Sequence, residues 1–258
     1  MAREKIKKKS RILRYFLLIV GIILILNFLL VSLEKKTSES EKVEVEEQKT
    51  FVRTENFTRV VMMLPAVDPE GKGVSSFLNV EVIEGSGKTL VDIDNLLFWA
   101  DTQHSIRIAK LVAENITKID VEKYDLTYSV EANASLIGGP SAGAAITIAT
   151  IFALRGLEPR SDVIITGSIN HDGSIGPVSA ILEKAKASKE AGAKVFLVPL
   201  LQSGDVVYET REHCEKFGFT EICSSETFPK KVDVTEEAGI EVVEVENIEE
   251  ALKYFKNE

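Results

Sequence analysis

Residues 15–33, YFLLIVGIILILNFLLVSL, run for nineteen positions without a charge, and no other stretch limits so strongly what the chain can become. At about 1.5 Å per residue, a helix of that length nearly matches a hydrocarbon core roughly 30 Å thick. A cleaved signal peptide is the alternative, but the apolar core is long for one and no small-x-small cleavage signal follows it. The span is therefore expected to be an uncleaved transmembrane helix. Residues 1–14 hold seven Lys or Arg (Arg3, Lys5, Lys7, Lys8, Lys9, Arg11, Arg14) against Glu4. Such a basic segment stays cytoplasmic, which places everything after the span outside the cytoplasm.

Residues 34–54, EKKTSESEKVEVEEQKTFVRT, are charged and carry a single aromatic, Phe51, so they read as a solvated linker. The remainder, 55–258, falls within the usual range of one folded domain. The whole chain carries −9 and its basic head +6, so the rest stands at −15. A body that acidic repels phosphate backbones, and nucleic acid is not an expected partner. Cys214 and Cys223 can pair outside the cytoplasm or remain two free thiols; the spacing leaves both open.

From residue 55 onward the patterning is that of an α+β domain. RVVMML, FLNVEVIE and TLVDIDN alternate like strands. Residues 98–116 have helical spacing, and LTYSVEA is the next strand. A helix should begin at Pro140 and stop near Gly156. DVIITG reads as a short buried strand and HDGS as a turn. A helix over 177–191 should stop at Gly192. AKVFLVP and IEVVEV are further strands, each expected to lead into a helix, with Asn247 capping the last.

One motif misleads. GSGKT at 85–89 imitates the end of a P-loop, but the pattern needs a glycine where Val82 stands. LVDIDN then alternates like a strand where the motif requires a helix, so GSGK is expected to be a hairpin turn. No other nucleotide-hydrolysing motif is present, and neither a cofactor nor a metal is expected.

The chemistry concentrates in GGPSAGAA, residues 138–145. Ser141 follows Pro140 and so lies in the first helical turn, where backbone N–H groups lack intrahelical partners and can receive an oxyanion. Gly138, Gly139 and Gly143 would let a substrate backbone approach closely. Taken alone, the same stretch is better explained as a small-residue helix packed on a neighbour. A serine needs a base to become a nucleophile. The histidines are His104, His171 and His213; an exposed turn explains His171 beside Asp172 better than a triad with Ser141, since adjacent turn residues rarely aim as a relay. A desolvated lysine can also serve. In PVSAILEKAKASKEAG, Lys184 has only Ala180, Ile181, Ala187 and Ser188 three and four positions away, all uncharged. Lys186 has Glu183, Lys189 and Glu190 as neighbours, the pattern of a solvated face, and Lys189 opens toward the helix end. Lys184 is therefore expected to turn inward, either as a base or as a side chain snorkelling from the edge of the core.

Taken together, GPSAG, then DVIITG, then a Gly-bearing turn and a lysine forty-three residues after the serine resemble the proteolytic domain of Lon proteases. The likeness runs through residues 138–199 and more weakly over the folded part as a whole. It implies a Lon-type proteolytic domain, with Ser141 as nucleophile and Lys184 as general base of a Ser–Lys dyad. It also implies that Thr166 orients Lys184 by a hydrogen bond, while Gly138, Gly139 and Ala142 serve the oxyanion or substrate approach. Two positions depart from the family pattern: Gly138 and Ser168 stand where acidic residues are usual, which bears on substrate preference and regulation and leaves the dyad intact. No ATP-driven unfolding module is expected with the domain, so the resemblance is to membrane-anchored, archaeal-type Lon-like proteins.

The function so implied is an ATP-independent, membrane-anchored serine endopeptidase acting on unfolded or flexible polypeptides and assembling as a homo-oligomer, plausibly a ring. Two alternatives stand beside it. One is a non-proteolytic Lon-like scaffold at the membrane. The other is a small-molecule kinase-like fold using the glycine-serine loop for phosphate, which leaves Lys184 without a role.

Overall fold

The structure, a computed structural model, describes residues 50–92, 100–132 and 139–257. The expected basic head, membrane span and most of the linker lie outside the described residues, as does Gly138. Among the described residues no helix is long and apolar enough to cross a membrane. The first described strand, Phe51–Arg53, falls within the stretch expected to be linker.

Strands β1 (Phe51–Arg53), β2 (Phe57–Val67), β3 (Gly73–Glu84), β4 (Thr89–Val91) and β5 (Tyr124–Ala132) form one sheet in the order β1-β2-β3-β5-β4. β2 and β3 pair antiparallel from Phe57↔Ile83 to Val67↔Gly73, and β5 pairs antiparallel with β3. β4 does not fold back on β3 as a hairpin; it runs parallel to β5, which lies between them. The GSGK turn expected to close that hairpin is fastened elsewhere. Asp125, at the start of β5, accepts the Ser86 amide at 2.8 Å and the Lys88 amide at 2.9 Å. The turn's donors are thus satisfied by the strand that enters the gap, and β3 need not pair with β4.

Helix α1 (Ala100–Thr117) packs on helix α2 (Gly143–Arg155). α2 is apolar on every side, and each residue from Gly143 to Ala153 is buried, as a helix without a polar face requires. Its few hydroxyls are satisfied internally: Thr147 donates to the Gly143 carbonyl, Thr150 to that of Ile146, and the Tyr128 hydroxyl meets Thr150 Oγ1 at 3.0 Å. Burial pushes the Tyr128 phenol up to about 12. The start and stop expected for this helix hold. A 3-10 turn, Pro140–Ala142, leads into it, and Gly156 ends it in the left-handed region at φ 61°.

The second half is built on a parallel sheet of β6 (Val163–Ile165), β9 (Val195–Pro199) and β12 (Glu241–Val245), ordered β12-β9-β6. A short hairpin, β7 (Ser168–Ile169) with β8 (Ile175–Gly176), precedes helix α3 (Ile181–Glu190). α3 begins four residues later than the periodicity suggests, because Ala180 adopts left-handed φ 57° and breaks the helical path. Gly192, at φ 91°, follows its end as expected. The strand AKVFLVP is not followed by a helix. It leads instead to a long hairpin, β10 (Gly204–Phe217) with β11 (Thr220–Asp233), closed by a Cys214–Cys223 disulfide. Helices α4 (Val234–Ala238) and α5 (Ile248–Phe255) complete the chain; the Asn247 side chain caps α5 by accepting the Glu250 amide at 2.9 Å. The larger core wraps α2, and a second surrounds α3 with Phe196, Val198 and Val234.

Candidate active site

The 3-10 turn carrying Ser141 and the start of α2 are tied to the bend after β6 by three hydrogen bonds. The Ser141 carbonyl accepts the Gly167 amide at 3.0 Å and the Thr166 hydroxyl at 3.4 Å, and the Ala144 amide donates to the Gly167 carbonyl at 3.0 Å. Thr166, 1% exposed, is thus bonded to the backbone of the serine, and no hydrogen bond joins it to the Lys184 amine whose orientation the resemblance assigns to it. Gly143 also departs from expectation. A Cβ there would meet Ile169 Cγ2 at 2.6 Å, so this glycine serves close packing against β7 and not substrate approach. Gly139 behaves otherwise: it takes φ 123°, lines a cavity, and a Cβ there would meet nothing within 4 Å. Its carbonyl is held by the Thr102 hydroxyl from α1 at 3.4 Å.

That cavity, of about 380 Å³, has both Ser141 and Lys184 on its wall. Its other walls are residues 64–67 of β2, the Pro140–Ala142 turn, and a rim loop of residues 177–180. Lys184 is 5% exposed, whereas Lys186 and Lys189 on the same helix are exposed, as the pattern of neighbours along α3 requires. Among the described residues its ammonium has no ion pair or hydrogen bond, and burial alone lowers it from 10.5 to about 8. A lysine so placed gives up its proton at a lower pH than a free lysine, and the neutral amine is the form that can take a hydroxyl proton.

The structure does not bring His171 and Asp172 to Ser141. They line a separate cavity with Asn115 and Glu246, and His171 stacks edge-on with His104 at 6.1 Å. Asp172 is committed to its own turn, where the Ser174 amide and hydroxyl hold its carboxyl below the usual range. Among the described residues no cluster of His, Cys, Asp and Glu could hold a metal ion. Residues 64–67, Thr102 and the rim loop belong to the site and carry no sequence signal, since they contribute shape and backbone and no recognisable chemistry.

Residues 98–219 match the family model described as the Lon protease (S16) C-terminal proteolytic domain. This segment is a Lon-type proteolytic domain. The chain is similar to the archaeal Lon protease of Thermococcus kodakarensis, 29% identical over 156 residues, which is 57% of this chain and 24% of that protein. It is also similar to Lon protease 2 of Syntrophobacter fumaroxidans, 39% identical over 80 residues, 31% of this chain and 10% of the relative. The Lon protease of Buchnera aphidicola is 30% identical over 157 residues, 58% of this chain and 17% of its own length. The chain thus spans only 10% to 24% of these curated relatives, and Ser141, Lys184 and Thr166 all fall within the Lon-type segment.

Proposed function

We propose that this protein is an ATP-independent serine endopeptidase, anchored by residues 15–33, in which Ser141 and Lys184 form the catalytic dyad. The observation that carries the reading is the shared cavity: the serine and a lysine desolvated to about 8 lie on one wall system with no carboxylate or imidazole among its described lining residues. In the proposed reaction Ser141 Oγ attacks the peptide carbonyl as Lys184 Nζ takes its proton, giving an acyl-enzyme. Lys184 returns the proton to the leaving amine, and a water activated by the same amine releases the product acid. The turn amides of Ser141 and Ala142, beside the open Gly139, are the donors proposed for the oxyanion. Thr166 then acts by holding the Ser141 backbone.

An extended polypeptide suits this cavity. β1 reaches only residues 58–60 of β2, and residues 64–67 continue past it as extended backbone along the cavity wall. The ATP-independent part rests on the GSGK turn, whose Ser86 and Lys88 amides are occupied by the Asp125 carboxylate and face a negative charge where a phosphate would sit. The purified chain, incubated with an unfolded protein, is expected to cleave it without nucleotide and to lose cleavage in Ser141→Ala. Cleavage that required ATP, or that persisted in Ser141→Ala, would overturn the assignment. Loss of all cleavage in the wild type would favour the scaffold alternative.

Assembly into a homo-oligomeric ring is part of the same proposal and rests on the Lon likeness. Light scattering of the active protein should report a multiple of the 28.5 kDa chain. A fully active monomer at the same concentration would remove this element.

A further inference from the structure

The rim loop of residues 177–180 is a wall of the cavity and the lead-in to the helix that carries Lys184, yet it has little of its own to hold it. Ala180 stands in left-handed conformation at the helix start with no capping side chain. The support comes from a turn twenty-odd residues later in the chain. The Gln202 carboxamide bonds both backbone groups of Val178: its Oε1 accepts the Val178 amide at 2.9 Å, and its Nε2 donates to the Val178 carbonyl at 2.7 Å. Asp205, at the base of the β10–β11 hairpin, accepts the Leu182 amide at 3.0 Å and so caps α3 from outside. Gln202 itself is anchored, since its neighbour Ser203 donates its amide to Glu244 of β12 at 2.9 Å.

A side-chain amide that satisfies both the donor and the acceptor of one residue imitates a strand partner, and it fixes that residue's position along two directions. We propose that Gln202 is a positioning residue for the peptidase site: by clamping Val178 it holds the rim loop closed against Lys184, with Asp205 fixing the start of the lysine's helix. The proposal rests on the dyad reading above. Gln202 does not line the cavity, and it acts on the chemistry only through the loop. Releasing the clamp opens the rim to water, restores hydration to the ammonium and loosens the alignment of lysine and serine. No residue facing Lys184 across the cavity, whether from β2, β5, α1, the Pro140 turn, α2 or the rim loop, carries a carboxylate, imidazole or second cation. On its own helix Glu183 is half-buried and Lys186 exposed. Water entry through the rim is thus the change to which the lysine would respond.

The test uses the full-length chain in detergent, with Gln202→Ala and Gln202→Glu beside the wild type. Competitive acetylation with acetic anhydride across pH, read at Lys184 by mass spectrometry, reports the lysine's titration without needing any catalysis. In Gln202→Ala that titration should move up by roughly half a pH unit or more, while kcat on an unfolded protein falls about tenfold and KM changes less than about threefold. Gln202→Glu keeps the bond from the Val178 amide and loses the one to its carbonyl, so it should fall between; it also gives the comparison if Gln202→Ala fails to fold. An unchanged Lys184 titration in folded variant protein would overturn the proposal, whether kcat is unchanged or falls. If the wild type shows no Ser141-dependent cleavage, the dyad reading fails, and the acetylation profiles still decide whether Gln202 closes the rim.

Discussion

If Lys184 is the base proposed above, stability and catalysis place opposite requirements on it. Below pH 8 the lysine is protonated in both folded and unfolded chains, and the folded state bears the full cost of a buried ammonium. Between about 8 and 10.5 the unfolded chain holds a proton the folded chain has released, so stability rises with pH across that window and the cost is gone above it. A depression of that size corresponds to on the order of 3 kcal/mol. Lys184→Met, similar in size and apolar, should therefore raise the melting temperature at pH 7 while lowering turnover by roughly a thousandfold or more. Turnover of the wild type should climb with pH through about 8 as the amine becomes neutral. Lys186→Met, on the exposed face, should leave both within about twofold. A Lys184→Met protein that turned over normally, or that melted lower, would break the link between desolvation and function.

At the level of elements, β1 shows what its composition concealed. Phe51 packs on the larger core, Arg53 donates to the Gly156 carbonyl at 3.0 Å, and the Thr50 carbonyl receives the Val61 amide at 2.9 Å. A chain starting at residue 55 loses all three and bares the edge of β2, so it should be less stable than one starting at residue 49 by about 2 kcal/mol. Equal denaturation midpoints for the two would show that β1 is not part of the domain. The sequence hid β1 because three residues inside a run of charges leave no period to read. Where signals are local they were legible: Pro140 and Gly156 bracket α2, Asn247 caps α5, and the neighbours of Lys184 foretell its burial. What escaped depends on distant partners. Asp125 decides where the GSGK turn is fastened, and the left-handed Ala180 that delays α3 ends a rim loop whose Val178 is bonded by Gln202. Beyond its base the β10–β11 hairpin is exposed on both faces and carries charges along them, so it lacks the one-sided alternation that marks a strand on a core.

For the whole molecule, the hairpin and the basic head point to the same placement. Cys214 and Cys223 face each other across β10 and β11, exposed near the hairpin tip and bonded to one another. Disulfides of this kind persist in oxidising surroundings and are reduced in the cytoplasm. The proposed topology keeps residues 1–14 inside and puts the folded unit outside, which is the side on which the bond would last. Two measurements on intact cells bear on this independently. A membrane-impermeant maleimide should fail to label Cys214 and Cys223 until a reductant is added, and external protease should remove a C-terminal tag. The hairpin meets the rest of the fold chiefly at its base, through Asp205, Val232 and the start of α4. Replacing both cysteines with serine should accordingly leave the main unfolding transition within about 1 kcal/mol and make the hairpin itself easier to nick. Free thiols together with a shielded tag would place the folded unit in the cytoplasm and reverse the orientation; oxidised thiols with a shielded tag would also reverse it and show that the disulfide does not report the topology.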